Sequence, residues 1–416
     1  MKAFFMIVFT GLACFLQMPA QNPEWIVYNK TNSGLTDNDI RSLDIDKDGV
    51  VWIGSINKAV FTFDGTNWIH YNSANSYVFD SYILSIATDT QNNKWIGSRS
   101  GGLCMYDGSN WHLYDTDHSG IPSNKVSDIQ FEDSLIWVAT QKGLVKFDRT
   151  NWTIYNTSNS GIPGDEIRGV AIDNQGNKWA ATWNGGLGKF DGTNWTTYDP
   201  SNSLMPTTMC ISIYFDGTYI WVGTSLGGHV KFDGSTMEVL TPENSGILHK
   251  SVFDTKKEGQ KLWFATAGGL ASLEGVTWTA YTPGNSGLPS VYARDIEIDK
   301  FGNKWIATDQ GVAVYREGGV VGINELSTAS NDLFLFPAFP NPAKEFTVLQ
   351  WYMKVPAQVS ITVCDYTGKV VTRLKNVTSV SGDNSLRIST SVLPAGIYIC
   401  RIETPTLTKC AKLVIR

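Results

Sequence analysis

The sequence is thin in charge, in cysteine and above all in basic residues. Charged residues make up 17% of the chain, and 39 acidic against 33 basic side chains leave a net charge of −6. With a pI near 5.4, the chain lacks the positive field that nucleic acid or an anionic membrane surface would require. Beyond the first twenty residues no apolar run approaches the ~20 residues of a membrane span, so neither a nucleic-acid partner nor a membrane span is expected. The histidines are few and scattered: His70, His112, His118, His229 and His249 form no His-x-x-x-His or His-Glu pattern of zinc spacing. Gly-x-Ser-x-Gly and phosphate-cradling glycine loops are missing as well. The sequence therefore assigns no catalytic residue, no metal and no cofactor.

What it does hold is glycine and tryptophan. Aromatics reach 12%, with 15 Trp beside 39 Gly, a mixture that suits many short strands closed by tight turns rather than helices. Residues 1–20 read as a signal peptide. Lys2 supplies the positive start, Ala3 to Leu16 the apolar run, and Met18-Pro19-Ala20 the small residue before cleavage at Gln21. Cys14 would suit a lipoprotein, but Gly11 stands where such a site carries Leu, so ordinary cleavage is expected. Five Cys remain in the mature chain. Cys104 and Cys210 sit in separate repeats as small buried residues. Cys364, Cys400 and Cys410 lie near the C-terminus, where an oxidising compartment would allow one disulfide whose pairing the sequence leaves open.

Self-similarity dominates residues 21–318. A Trp followed by a small or apolar pair recurs at Trp52, Trp95, Trp137, Trp179, Trp221, Trp263 and Trp305, about every 42 residues. A second series runs Trp25, Trp68, Trp111, Trp152, Trp195, Met237 and Trp278. Between them stand turns such as Phe190-Asp-Gly-Thr-Asn-Trp195 and Asp173-Asn-Gln-Gly-Asn-Lys-Trp179. Each unit reads as four short strands, the signature of a propeller blade. The last unit lacks its outer strand, and Trp25-Ile-Val-Tyr28 is an outer strand with no blade before it. The two halves match only if they complete one blade, which closes a ring of seven and removes its free edges. The sequence Asp44-Ile-Asp46-Lys-Asp48-Gly49 looks like the first half of a calcium loop, but Ser55 stands where the bidentate Glu is needed, so turn chemistry is the reading.

The units resemble the two-component-regulator propeller repeat, and Gly287-Leu288-Pro289 through Gly311 is a clear copy of its pattern. That resemblance implies a seven-bladed β-propeller of a kind that often forms the sensor of hybrid histidine kinases detecting glycan fragments. No membrane span and no kinase segment accompanies it here, so the fold carries over and the signalling role does not. Residues 319–333 read as a linker. Residues 334–416 alternate as an immunoglobulin-like β-sandwich, with Pro340-Asn-Pro342, Asp365-Tyr-Thr-Gly-Lys369 and Pro394-Ala-Gly-Ile-Tyr398. Together these resemble the C-terminal sorting domain of type IX secretion. The resemblance implies the type IX secretion machinery as a partner, and an extracellular or outer-surface address on a Gram-negative bacterium. The fold class is thus all-β, a seven-bladed propeller followed by a sandwich.

Residues that every blade shares hold the fold, so a ligand should use positions where blades differ. The loops joining second to third strand share one face with the connections from outer strand to next inner strand. Four residues after each first Trp the series reads Ile56, Arg99, Gln141, Trp183, Ser225, Ala267, Asp309. Trp183 alone among the propeller tryptophans falls outside the two repeat positions. In the connections, Tyr77 and Phe79 depart from a recurrent Gly, and His118 replaces a recurrent Asn. Arg41, Arg168 and Arg294 occupy equivalent inner-strand places, with Asp39 and Glu166 as alternative partners for the first two. Aromatic faces stack on sugars, while Arg, Gln and Asp bond hydroxyls or acidic groups. The expected function is binding of a carbohydrate or glycoprotein outside the cell. A protein-interaction scaffold and a propeller-fold polysaccharide lyase or hydrolase stand as alternatives.

Overall fold

The computed structural model describes residues 23–78, 82–321, 333–335, 338, 341–353, 355–380, 382–405 and 407–416. The signal peptide, Phe79 and most of the expected linker lie outside the described residues.

Burial of the first Trp series organises the repeat. All seven of these indoles are 1–3% exposed, and each donates its Nε1–H to the carboxylate that opens its own turn. The acceptors are Asp46 (3.2 Å), Asp89 (3.1 Å), Glu132 (2.9 Å), Asp173 (2.9 Å), Asp216 (2.7 Å), Glu258 (3.0 Å) and Asp299 (3.1 Å). A buried indole thus leaves no polar atom unpaired. The calcium-like segment is one of these turns. Asp46 accepts from Asp48 N, Val50 N and Trp52, while Asp44 turns away to the Thr88 hydroxyl, so the two carboxylates do not converge.

Around these indoles stand seven antiparallel four-stranded sheets. Blades 1 to 6 run 40–71, 83–114, 126–155, 167–198, 210–240 and 252–281. Blade 7 is built from Ala293–Ile298, Lys304–Thr308, Gly311–Tyr315 and, as its outer strand, β1 (Trp25–Tyr28). Trp25 pairs with Tyr315 and Tyr28 with Val312, the register the ring closure requires. The closure also copies the packing of an ordinary blade. Trp25 stacks on Tyr315 at 4.5 Å, as Trp68 does on Phe63 at 4.5 Å. The chain stays bonded to the propeller up to Val321: Val320 N donates to the Pro23 carbonyl and Val321 N to Asn303 Oδ1.

The Gly that stands nine residues after five of the seven outer aromatics is a close approach. A Cβ on Gly287 would lie 2.4 Å from that of Trp25, and on Gly34 2.2 Å from that of Trp68. Where the next outer residue is Met237, blade 5 carries Leu204 instead of Gly. Tyr77 has no such excuse, because Trp111 is retained beside it.

The C-terminal region is a sandwich of a three-stranded sheet (Leu333–Leu335, Phe346–Met353, Gly382–Ser389) and a four-stranded sheet (Ala357–Asp365, Val370–Ser379, Gly396–Glu403, Thr408–Ile415). Its three motifs are fastenings. Asn341 accepts from Val414 N and donates to the Lys412 carbonyl, tying the entry to the last strand. Asp365 caps Thr367 and Lys369, and the Tyr398 hydroxyl reaches back to the Pro394 carbonyl at 2.8 Å. The three cysteines are free. Cys400 faces the core among Val359, Ile361 and Val363, whereas Cys364 and Cys410 alternate outward on strands separated by Gly396–Glu403. Opposite faces and an intervening strand keep the thiols beyond bonding reach.

Candidate ligand-binding mouth

Each inner strand carries a register shift at its second residue: Arg41, Leu84, Ser127, Arg168, Ile211, Phe253 and Arg294. A bulge re-aims the side chain it carries. Just before it comes a ring of Asp39, Tyr82, Lys125, Glu166, Met209, Ser251 and Tyr292. In six blades the carbonyl of that residue accepts the N–H of the loop residue four after the Trp. Ile56 bonds Asp39, Arg99 bonds Tyr82, Gln141 bonds Lys125 and Trp183 bonds Glu166, with Ser225 to Met209 and Ala267 to Ser251 completing the set. The two kinds of loop therefore meet at one mouth.

The mouth is lopsided. On the side of blades 7 and 1 to 4, the Arg168 guanidinium lies over the half-buried Trp183 indole at 4.7 Å and pairs with Glu166 at 2.8 Å. Glu166 is shared with Lys125 at 2.6 Å. Exposed Arg99 lies over Tyr82 at 5.7 Å, and Gln141 is exposed beside them. Asp39 pairs with Arg294 across the blade boundary rather than with its neighbour Arg41, which donates to the Arg294 carbonyl at 3.3 Å. Asp309 Oδ1 is buried with no hydrogen-bond partner. Burial pulls the Arg168 guanidinium below the ordinary arginine range; Glu166 opposes this, and Arg41 and Arg99 add to it. The blade 5 and 6 side instead presents Met209, Ile211 and Phe253, with Leu226 67% exposed at φ +63°.

Tyr77 and His118 are placed elsewhere. The recurrent Asn bonds the backbone of the outer strand, as Asn159 does at Ile154 O and Asn202 at Thr197 O. His118 in that place sits at the rim, with Nδ1 2.8 Å from Asp115. Tyr77, 59% exposed, lies by Cys104 on a third strand. His112 pairs with Asp107 at the rim, and His229 is fully buried against Trp221, with burial holding its imidazole down at about 3. His249, half-buried, accepts from Ser251 N.

Below the mouth, the inner strands gather Asp44, Asp128, Asp254, Asp295 and Glu297 around Lys256. Lys256 Nζ donates to Glu297 at 2.6 Å. Burial alone would lower the ammonium, yet Glu297, Asp254 and Asp295 hold it well above the ordinary lysine range. Burial raises Asp128 to about 6 against bonds from Val170 and Ile129. Three of these carboxylates are clamps between blades: Asp128 accepts Val170 N (2.8 Å), Asp254 accepts Ile296 N (3.2 Å) and Asp295 accepts Leu43 N (2.7 Å). Sequence reasoning passed over them, since alternating polar residues on an inner strand carry no mark of their partners.

Residues 34–57 match the family model of the two component regulator propeller, and residues 337–416 match the secretion system C-terminal sorting domain. The chain thus carries a two component regulator propeller repeat and ends in a secretion system C-terminal sorting domain. Among solved structures it is similar to the extracellular domain of a hybrid two component system from B. thetaiotaomicron, at 15% identity and TM-score 0.61, over 94% of this chain and 57% of that one. It is similar to PorZ, a surface component of the type-IX secretion system of Porphyromonas gingivalis, at 16% identity and TM-score 0.53, over 92% and 60%. A virginiamycin B lyase from Staphylococcus aureus matches the propeller alone, at 15% identity and TM-score 0.55, over 70% and 98%. The chain thus spans less than two thirds of the first two, and at these identities the likeness is one of fold. No curated protein matches it in sequence. The sorting domain implies export to the cell surface or the extracellular space. Among the described residues, no helix is long and apolar enough to cross a membrane.

Proposed function

We propose that this exported propeller binds a carbohydrate or the glycan of a glycoprotein at the mouth formed by its 2–3 loops and inner-strand bulges. The observation that carries the reading is Trp183. It is the one indole released from the repeat, it stands at the mouth, and Arg168 covers one of its faces so that the ring is held in place. A fixed indole on the same mouth as the donors Arg99 and Gln141 and the acceptor Asp309 offers the stacking plane and polar groups that sugar recognition uses. Tyr77 and His118 belong to the proposal as a contact for a longer chain, and Phe79, outside the described residues, is proposed with them from its place in the sequence. The apolar side at Met209, Ile211, Phe253 and Leu226 favours a second reading, a protein partner seated on blades 5 and 6.

A glycan array probed with the intact chain and with Trp183→Ala, beside a turnover assay on any bound oligosaccharide, tests the proposal. Binding that weakens about tenfold in the variant, without turnover, is expected. Turnover of the bound sugar would move the assignment to the lyase or hydrolase class.

A further inference from the structure

We infer that the ligand of this mouth is anionic, and that a carboxylate or sulfate group docks on the side of blades 7 and 1 to 4 through Arg41, Arg99 and Arg168. This inference rests on the reading of the mouth as a glycan site. Against a chain of net charge −6, this half of the mouth gathers cations. Arg41, Arg99, Lys125, Arg168 and Arg294 face it, and the carboxylates in contact with them are Asp39 and Glu166. Asp309 adds one carboxylate at the blade 7 edge.

The two acids are already committed, Asp39 to Arg294 and Glu166 to both Lys125 and Arg168. Arg41 holds a backbone carbonyl, and Arg99 rests on an aromatic face; among the described residues neither pairs with a carboxylate. The Nε of Arg168 is buried without an acceptor. Guanidinium groups from blades 1, 2 and 4 therefore bear on one another, Arg41 and Arg99 with their charge unanswered and Arg168 met by a Glu166 that it shares with Lys125; burial first, and then repulsion from Arg41 and Arg99, depresses Arg168 against the pull of Glu166. A neutral sugar hydroxyl would leave that charge in place. A carboxylate or sulfate would answer it with paired, charge-assisted hydrogen bonds, for which guanidinium has the matching fork. The bulges are what make this convergence: without the register shift, Arg41 and Arg168 would face the blade interior and not the mouth.

Calorimetry on the full chain with three probes tests the inference: a cellulose hexamer, a galacturonate hexamer and a heparin-derived hexamer. At least one acidic hexamer should bind tenfold or more tighter than the neutral one, and weaken several-fold between 50 mM and 300 mM salt as surface charge is screened. Arg99→Gln and Arg41→Gln should each weaken the acidic hexamer about fivefold or more with an unchanged melting temperature and leave any neutral binding as it was. Which acidic hexamer wins separates carboxylate from sulfate recognition. Equal or tighter binding of the neutral hexamer, or acidic binding indifferent to Arg41, Arg99 and salt, overturns the anionic inference and leaves the glycan reading standing. If all three hexamers and a wider glycan array fail to bind, the glycan reading itself falls.

Discussion

The two faces of the disc solve opposite problems with the same seven-fold chain. On the turn face every blade gives one answer. In all seven an Asp or Glu receives its own Trp; in blades 1 to 5 an Asp also caps the outer hairpin turn, as Asp191 does for Thr193 and Asn194, and ion pairs tie neighbouring blades together, as in Lys94–Asp46 (3.0 Å), Lys178–Glu132 (2.6 Å) and Lys304–Glu258 (2.9 Å). On the mouth face seven equivalent loop positions hold seven different side chains, while the backbone bonds beneath them repeat. Repetition marks what folding requires. Variation over a repeated frame is where the proposal seats an asymmetric ligand.

The comparison breaks most visibly if the ring does not need its closure. Removing residues 23–30 strips four half-buried apolar side chains from blade 7, a loss of about 6 kcal/mol at ~1.5 kcal/mol each, enough to unfold a marginally stable domain. Calorimetric melting should show the cooperative transition lost or lowered by tens of degrees; an unchanged transition would mean that β1 is not structural.

Two tryptophans four residues apart sharpen the contrast between faces. Trp179, 2% exposed, should cost about 3–5 kcal/mol when replaced by Ala, read as a shifted urea midpoint. Trp183→Ala should cost under about 1 kcal/mol in the same measurement, yet weaken ligand binding about tenfold. Similar destabilisation by both would make Trp183 a packing residue.

A further test concerns the inner strands between the faces. Asp128 has its folded value raised to about 6, so the folded state holds a proton that the unfolded chain releases near 4. Its contribution is present at low pH and is lost as pH rises from about 4 through 6, by at most ~3 kcal/mol and by less where water reaches the carboxylate. Asp128→Asn keeps an acceptor for Val170 N and removes the charge. Its urea midpoint should match the wild type near pH 4 and exceed it near pH 7.5; a parallel pH profile would contradict the raised value.

The smallest effect belongs to the rim. His118→Asn restores the side chain that six blades use to bond the outer strand, and melting should rise by a degree or two. A fall would show that His118 with Asp115 does more for the fold than the Asn it replaces.

How much of this the sequence disclosed follows from what leaves a periodic trace. The Trp spacing and the unmatched half-blades at Trp25 and Trp305 carried the ring, its closure and its count. The loop series through Trp183 was legible because a repeat makes its exceptions visible. The bulges were not, since a single inserted residue shifts the alternation without altering composition. The partner of Asp39 was therefore unreadable: Arg294, distant in sequence, is nearer in space than Arg41. Loop membership is legible and radial position is not, so the sequence does not tell Tyr77 and His118, on the connections, from residues nearer the axis.

The swapped outer strand also sets a clock. Trp25–Tyr28 leave first in a chain that emerges from its N-terminus, but their partners at Gly311–Tyr315 come last of all the propeller strands. The ring cannot lock until nearly the whole propeller has been delivered. Contacts of such long sequence separation form slowly, and until this one forms the first strand and blade 7 each keep an open edge, exposed to proteases and to edge-to-edge association.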